Sequence, residues 1–185
     1  MASFPPFSPD GVLPEGEYPL TLEQLRSSPL VLGPGDPRDH PEWDAGWRHQ
    51  LVANLGVMVE QLWAAGIEEV FIDGSFVEDK DHPNDIDGYF VCDPWRFASG
   101  ELEQDLNRLD PAKCWTWDHE ARRRYRGYPK QQLPMWHTYR VELYPHYHGG
   151  IAGTDDHGNP LEFPAFFRRC RRTDAPKGIV RLIRA

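Results

Sequence analysis

Two short apolar runs joined by a polar loop constrain the fold of this 185-residue chain more than any other feature. The first run, residues 70–72, ends near a Gly-Ser pair, and the second, residues 89–91, follows an Asp-Ile-Asp segment. Short apolar runs bounded by turn-forming residues are typical of buried strands. The pattern therefore predicts two neighbouring strands, over residues 68–73 and 87–92.

The acidic residues at the start of the second run suggest a metal site. Successive side chains of a strand point to opposite faces, so Asp85 and Asp87 are expected on one face, roughly 6–7 Å apart. Mg²⁺ prefers one or two carboxylates together with substrate phosphates. Gly74 allows a close backbone approach, and Ser75 adds a hydroxyl and an amide where phosphates can bind. This combination predicts a site for a nucleoside triphosphate and its metal ions.

Chain length, hydropathy and cysteine content narrow the class of protein. The length suits a single domain with a substantial core, and no apolar stretch approaches the roughly 18 residues that cross a bilayer. The amino-terminal residues show no secretory signal pattern. Cys92, Cys114 and Cys170 are odd in number and widely spaced, which favours reduced thiols over a disulfide framework or a zinc site. We therefore expect a cytoplasmic protein without a membrane segment.

Charge is distributed unevenly along the chain. Residues 1–121 hold 7 Lys and Arg against 24 Asp and Glu, whereas residues 122–185 hold 13 against 5. The basic part includes the stretches 122–130 and 168–172. Such a part suits a polyphosphate or RNA partner, and it equally suits attraction between two oppositely charged parts of one fold.

Proline divides the chain into two regions. Residues 1–42 contain nine prolines, so regular helix and central strand are excluded there. Because several leucines accompany these prolines, we expect an extended arm packed on the domain, with a helical turn after Thr21. Residues 43–185 form the domain itself.

Apolar periodicity supplies the other elements. Leucine and methionine at spacings of three and four predict an amphipathic helix over 44–65, ended by Gly66. A surface helix is predicted over 99–109 with Leu109 facing inward, and strands are predicted over 136–144 and 178–183. The fold class expected is α/β (α+β), a small mixed sheet with flanking helices.

The spacing of these motifs resembles that of the DNA polymerase β-like nucleotidyltransferase superfamily, in particular its small single-domain bacterial members. The shared pattern is Gly-Ser, a nine-residue gap, Asp-x-Asp, and a later strand with one carboxylate between apolar residues, here Glu142. Segments 13–16, 72–77 and 80–87 extend the resemblance over nearly the whole chain.

The resemblance implies a role for each matching residue. Gly74 and Ser75 would hold the triphosphate, Asp85 and Asp87 would bind two Mg²⁺ or Mn²⁺ ions, and Glu142 would be the third carboxylate, positioning or deprotonating the acceptor hydroxyl. From the residues alone, Glu142 can also be an outward-facing strand carboxylate. Asp73 is interpreted as a turn residue rather than a ligand.

Lys80 lies in the loop expected to face the phosphates and is either a phosphate contact or a solvated lysine. Arginines at 122–126, interleaved with Tyr125 and Tyr128, can bind an RNA backbone or form an ordinary solvated face. His146 and His148 make a poor zinc site without further ligands.

The function implied is transfer of a nucleoside monophosphate from an NTP to a hydroxyl on a protein or an RNA such as tRNA, within a toxin–antitoxin or phage-defence system. A cognate toxin or antitoxin is then a partner, and no DNA sequence reader is expected. The alternative is a catalytically inactive module of this fold that binds a nucleotide or a partner.

Overall fold

The computed structural model describes residues 4–155, 157–170, 173 and 175–185. Strands within this part of the chain are β1 (Glu17–Leu20), β2 (Val70–Asp73), β3 (Ile86–Val91), β4 (Val141–His146), β5 (Gly153–Thr154), β6 (Pro160–Leu161) and β7 (Ile179–Leu182). Helices are α1 (Leu22–Arg26), α2 (Pro29–Leu32), α3 (Ala45–Ala64), α4 (Pro94–Ala98), α5 (Glu101–Leu109), α6 (Pro134–Tyr139) and α7 (Phe163–Phe167), with 3₁₀ turns at Gly74–Val77 and His119–Ala121.

Five of the strands form one mixed sheet in the order β1-β7-β2-β3-β4. Strand β2 is antiparallel to both β3 and β7, whereas β1 pairs with β7 and β3 pairs with β4 in parallel. Strands β5 and β6 form a separate two-stranded sheet. The predicted class, a mixed sheet with flanking helices, is confirmed.

The main core lies between one face of the sheet and α3. The predicted apolar stripe of α3 is confirmed, because Leu51, Leu55, Met58 and Leu62 are fully buried. Asp44 begins the helix by accepting a hydrogen bond from the Trp47 amide, which satisfies one of the free amides of the first turn. None of the helices in the described ranges is long and apolar enough to span a membrane.

A second, smaller apolar cluster occupies the opposite face. Phe71, Tyr89 and Ile179 project from β2, β3 and β7 and meet Phe167 of α7. Because side chains alternate along a strand, Asp73 and Asp87 share this face with Phe71 and Tyr89. The face beside α7 is therefore the one that carries the acidic residues.

The proline-rich segment contributes directly to the fold. Strand β1 occupies the edge of the sheet. A proline such as Pro19 is tolerated there, because an edge strand has one side on which no neighbouring strand requires an amide donor. Leu13, Leu25 and Leu30 are fully buried in the main core. The segment forms a strand and two short helices, α1 and α2, rather than an extended arm with a single helical turn.

In the second half of the chain, the start of one predicted strand and the orientation of one leucine are wrong. The strand expected over 136–144 begins as helix α6, with proline in its first turn, and becomes β4 only after Arg140, whose φ of 56° ends the helix. The helix expected over 99–109 is confirmed as α5, although it begins at Glu101, after Gly100 at φ 77° separates it from α4. Leu109 is 45% exposed instead of facing inward.

A carboxylate-lined cavity as the candidate functional site

A cavity of about 630 Å³ lies on the α7 face of the sheet. Its walls bring together five of the six predicted site residues, Gly74, Ser75, Asp85, Asp87 and Glu142. The sixth, Lys80, is exposed and does not line the cavity. The walls also include residues that the sequence analysis did not assign to a site, Glu78, Asn84, Tyr144, Phe163, Phe167 and Lys177.

Three carboxylates form a row across adjacent strands. Asp73 of β2 is the register partner of Asp87 of β3, and Asp87 is the partner of Glu142 of β4. Neighbouring strands are about 4.8 Å apart, and like charges directly opposite one another are destabilising. The row therefore requires positive charge nearby, supplied by the protein or by a bound cation.

Lys177 supplies positive charge at one end of the row. Its ammonium lies 2.7 Å from Asp73 Oδ1 and 3.1 Å from Glu78 Oε1, and it donates a 3.1 Å hydrogen bond to the Gly74 carbonyl. Burial raises the pKa of Asp73 to about 7 despite the attraction of Lys177. Burial alone would lower the pKa of Lys177, but Asp73 and Glu78 outweigh it and the pKa is raised.

Asp73 is therefore not the turn residue that the sequence analysis expected. It is the last residue of β2 and is fully buried. A buried carboxylate is stable there only because an ammonium from a distant part of the chain is close to it. Together, Asp73 and Lys177 fix the start of the Gly-Ser turn.

Glu142 is held at the other end of the row. The Leu133 amide donates a 2.9 Å hydrogen bond to Glu142 Oε1, and the Tyr144 hydroxyl donates to Oε2. Arg122 Nη2 donates to that hydroxyl over 3.0 Å, and its Nη1 lies 3.6 Å from Glu142 Oε1. Glu142 is buried, so it is not an outward-facing strand carboxylate. Its orientation toward the cavity is fixed by these donors.

Asp85 enters the cavity just ahead of β3. Trp136 Nε1 donates a 2.7 Å hydrogen bond to Asp85 Oδ2. Burial raises the pKa of Asp85, and the nearby charge of Glu142 adds to that effect, while the Trp136 hydrogen bond opposes it. The arrangement of Asp85, Asp87 and Glu142 thus concentrates carboxylate oxygens in a partly desolvated space.

The Gly-Ser turn has the geometry that glycine alone provides. Gly74 has φ of 72°, and a Cβ atom built there would lie 2.7 Å from Asp87 Oδ2. Any other residue would strain the backbone and displace that carboxylate. Ser75 follows at the start of the 3₁₀ turn Gly74–Val77 and lines the cavity.

Arg48, which the sequence analysis assigned no role, holds the loop beyond this turn. Its guanidinium is buried and donates hydrogen bonds of 2.6–3.0 Å to four main-chain carbonyls, those of Leu30, Phe76, Glu78 and Lys80. It also lies 4.0 Å from the centroid of the Trp43 ring. Arg48 therefore joins α2, α3 and the loop that carries the site.

An aromatic wall lies beside the carboxylates in the lining of the cavity. The rings of Tyr144 and Phe163 are 5.5 Å apart at 20°, and those of Phe163 and Phe167 are 5.7 Å apart at 20°. Near-parallel rings at this distance stack on one another and form an apolar part of the cavity lining. Basic side chains from Arg122, Lys130 and Arg169 complete the wall. Arg171 and Arg172, of the second basic stretch, lie outside the described residues.

The donor set has the chemistry of a hard-cation site. Asp85, Asp87 and Glu142 offer carboxylate oxygens, the ligands that suit Mg²⁺ and Mn²⁺. Within the described residues, no group of three or more His, Cys, Asp or Glu side chains is already arranged to hold a metal ion. His146 and His148 lie 3.7 Å from Glu162 oxygens and do not line the cavity.

A family model described as a family of unknown function, DUF6932, matches residues 5–183. The chain belongs to the DUF6932 family. The match includes every strand of the sheet and every residue of the cavity wall in this DUF6932 protein. No curated protein matches the chain. No solved structure matches it either.

Proposed function

We propose that this protein is a Mg²⁺-dependent nucleotidyltransferase related to the DNA polymerase β-like superfamily. It transfers a nucleoside monophosphate from an NTP to a hydroxyl on a protein or RNA acceptor and releases pyrophosphate. One observation carries the proposal: the turn of Gly74 and Ser75 and the carboxylates of Asp85, Asp87 and Glu142 line a single cavity. These are the residue types that such a transfer requires at one place.

The turn and the basic side chains account for triphosphate binding. Ser75 lines the cavity and offers a hydroxyl, and it lies in a 3₁₀ turn. Hydroxyls and the main-chain amides of turns are groups that bind phosphate oxygens. Arg122, Lys130 and Arg169 supply positive charge in the wall. Asp85, Asp87 and Glu142 would hold Mg²⁺, which when bound neutralises phosphate charge and polarises the reacting phosphoryl group. The aromatic wall offers a surface on which a nucleobase can stack.

In the proposed transfer step, Glu142 accepts the proton of the acceptor hydroxyl. The acceptor oxygen forms a bond to the α-phosphorus while the bond from that phosphorus to the bridging oxygen breaks. Pyrophosphate leaves with the bonding electron pair, and the hydroxyl proton passes to the Glu142 carboxylate. Leu133 and Tyr144 hold that carboxylate in one orientation, which is how a fixed group reduces the entropic cost of reaction.

Transfer is tested with each α-³²P-labelled NTP and Mg²⁺ or Mn²⁺ in a bacterial lysate that contains both RNA and protein. Asp85→Asn and Asp87→Asn remove negative charge with little change of shape, and Asp36→Asn, at an exposed site outside the cavity, is the matched control. We expect label on RNA or protein with the native protein and the control, and at least a hundredfold less with either cavity variant. Equal labelling by all four proteins would refute the proposal.

A second candidate function is a non-catalytic module that binds a nucleotide or a partner. It is favoured by the fact that Asp85 and Glu142 already accept hydrogen bonds from Trp136, Leu133 and Tyr144, so protein groups engage both carboxylates. Calorimetry separates the two candidates. NTP binding that depends on Mg²⁺, without label transfer to any acceptor, identifies the module.

The proposed setting is the cytoplasm, within a toxin–antitoxin or phage-defence system. All three cysteines are buried free thiols, which fits a reducing compartment. Co-purification with a cognate toxin or antitoxin would support this setting. Growth arrest on expression that Asp85→Asn abolishes would place the protein on the toxin side.

A further inference from the structure

A strongly basic loop borders the cavity, and three of its arginines, Arg123, Arg124 and Arg126, have no role in the transfer chemistry described above. We define the basic loop as residues 122–130, which lie between the 3₁₀ turn His119–Ala121 and α6. It contains Arg122, Arg123, Arg124, Arg126 and Lys130 and no acidic residue. Paired backbone hydrogen bonds of 2.9 and 2.8 Å between Arg123 and Gln132 fix its base. The loop is therefore an anchored hairpin-like projection.

Most of the positive charge of the basic loop is left unpaired within the described residues, and Arg122, which lies 3.6 Å from Glu142 Oε1, is the exception. Arg123, Arg124, Arg126 and Lys130 are exposed. In the described part of the chain, none of these four side chains forms an ion pair or a hydrogen bond. Clustered cations without internal partners create a local positive potential that attracts polyanions and repels other basic surfaces. A chain of phosphates is the polyanion whose charge spacing such a row can follow.

An aromatic platform is built into the same loop. Tyr125 is 41% exposed, and its ring packs edge-on against Trp136 at 5.2 Å and Tyr128 at 5.4 Å. The Arg140 guanidinium lies 4.1 Å from the Tyr125 ring and 3.8 Å from the Trp136 ring. An exposed ring held rigidly among cations is the arrangement that stacks unpaired bases of single strands.

The basic loop leads directly into the cavity. Tyr128, Pro129 and Lys130 belong both to the loop and to the cavity wall. Trp136, which supports the Tyr125 ring, is also the residue that donates to Asp85. A strand whose phosphates lie along the loop would thus present its last nucleotide to the carboxylates.

We propose that the basic loop binds a single-stranded polynucleotide and delivers its terminal hydroxyl to the cavity as the acceptor. This inference rests on the proposed function, since it names the acceptor of the same site. A stacking platform combined with a row of cations is the combination that binds single strands, whose bases stack and whose phosphates pair with the cations.

The test measures binding separately from transfer. The probe is a 5′-fluorescent 12-nucleotide RNA of mixed sequence with a free 3′-hydroxyl, titrated by fluorescence anisotropy between 50 and 200 mM salt. The same sequence as single-stranded DNA and as an RNA duplex forms the other arms. The loop variant carries Arg123→Gln, Arg124→Gln and Arg126→Gln. The control variant carries Arg26→Gln, Arg38→Gln and Arg108→Gln, none of which lines the cavity.

The loop variant is expected to bind the single strand at least tenfold more weakly, with a slope of log K against log salt that is smaller by about 2, since each lost phosphate contact contributes about 0.7. Tyr125→Leu is expected to weaken single-strand binding by roughly fivefold or more through lost stacking. The control variant should bind like the native protein. The RNA and DNA arms identify which sugar is accepted.

Three binding results would overturn the inference: no binding to either single strand, the same affinity and salt slope in the loop variant as in the native protein, or tighter binding to the duplex than to the single strands. Transfer of label to protein by the loop variant at the native rate would overturn it as well. Failure of the proposed function looks different. In that case Asp85→Asn and the native protein bind the single strand alike and neither transfers label, so the docking surface stands without the reaction.

Discussion

Replacement of Arg48 by methionine is expected to destabilise the protein strongly, although Arg48 lies outside the cavity wall. Methionine fills a similar volume but removes the guanidinium, and so deprives the carbonyls of Leu30, Phe76, Glu78 and Lys80 of their shared donor. Arg48 is fully buried. Water therefore cannot take over the innermost of these hydrogen bonds without opening the loop.

The magnitude follows from the number of hydrogen bonds. At a net value near 1 kcal/mol each, loss of four should lower the free energy of unfolding by about 4 kcal/mol. For a domain of this size, 1 kcal/mol corresponds to roughly 2–4 °C in melting temperature, so a decrease of some 8–16 °C is expected. Because three of the carbonyls belong to the segment after Ser75, nucleotide binding should weaken as well.

The assay is thermal and urea unfolding followed by circular dichroism, with Arg38→Met as the matched control. Arg38 is exposed and pairs with the nearby Asp36, so its replacement should leave the melting temperature unchanged. A melting temperature for Arg48→Met within 3 °C of the control would refute the reasoning, because it would mean that the four carbonyls do not depend on the guanidinium.

Three further predictions concern other buried groups. Lys177→Met should lower the free energy of unfolding by about 3–5 kcal/mol, because it leaves Asp73 unpaired. Adding Asp73→Asn to this variant should restore part of that free energy, measured by urea unfolding. A further loss in the double variant would contradict the pairing of Lys177 with Asp73. Gly88→Ala should prevent native folding, because its Cβ would lie 2.3 Å from a carbonyl of the neighbouring strand. Gly46→Ala, whose Cβ makes an ordinary contact, is the control. Circular dichroism of both variants checks this prediction. Burial raises the pKa of Cys92 to about 11, so little thiolate forms at pH 8. An aromatic disulfide reagent should therefore react slowly with Cys92 in the native protein at pH 8 and faster as the pH approaches 11. After unfolding, the reaction should be immediate. Rapid reaction at Cys92 itself in the native protein at pH 8, with the modified cysteine identified by peptide mass spectrometry, would contradict that pKa.

Local sequence patterns predicted the central elements well. The apolar residues of α3 recur every three or four positions, and those of β2 and β3 form short continuous runs. Both patterns can be recognised within a few residues of sequence, because burial of an element requires apolar side chains at those positions. The five cavity residues that were predicted lie on or beside these elements or on β4. Their spacing was visible in the sequence because a strand fixes which side chains share a face.

The groups that hold the site in place were beyond such reasoning. Lys177 contacts the Gly74 carbonyl across 103 positions of sequence, and Arg48 contacts Phe76 across 28. No local pattern marks a lysine or arginine as buried, since both are usually solvent-exposed. The α6 helix was missed for a related reason: its short apolar sequence alternates like a strand, and only tertiary packing of Trp136 decides between the two.

The position of β7 inside the sheet has a consequence for biosynthesis. Glu17 of β1 pairs with Ile179 of β7, which also separates β1 from β2. While the ribosome is still making the middle of the chain, β1 has no neighbour and β2 keeps an open edge, the kind of edge that invites pairing with other chains. Contacts this distant in sequence also form slowly. Before β7 is synthesised, the sheet of the nascent protein is therefore incomplete. The contacts of Lys177 with Asp73 and Glu78 can form only after residues 177–182 have emerged from the ribosome.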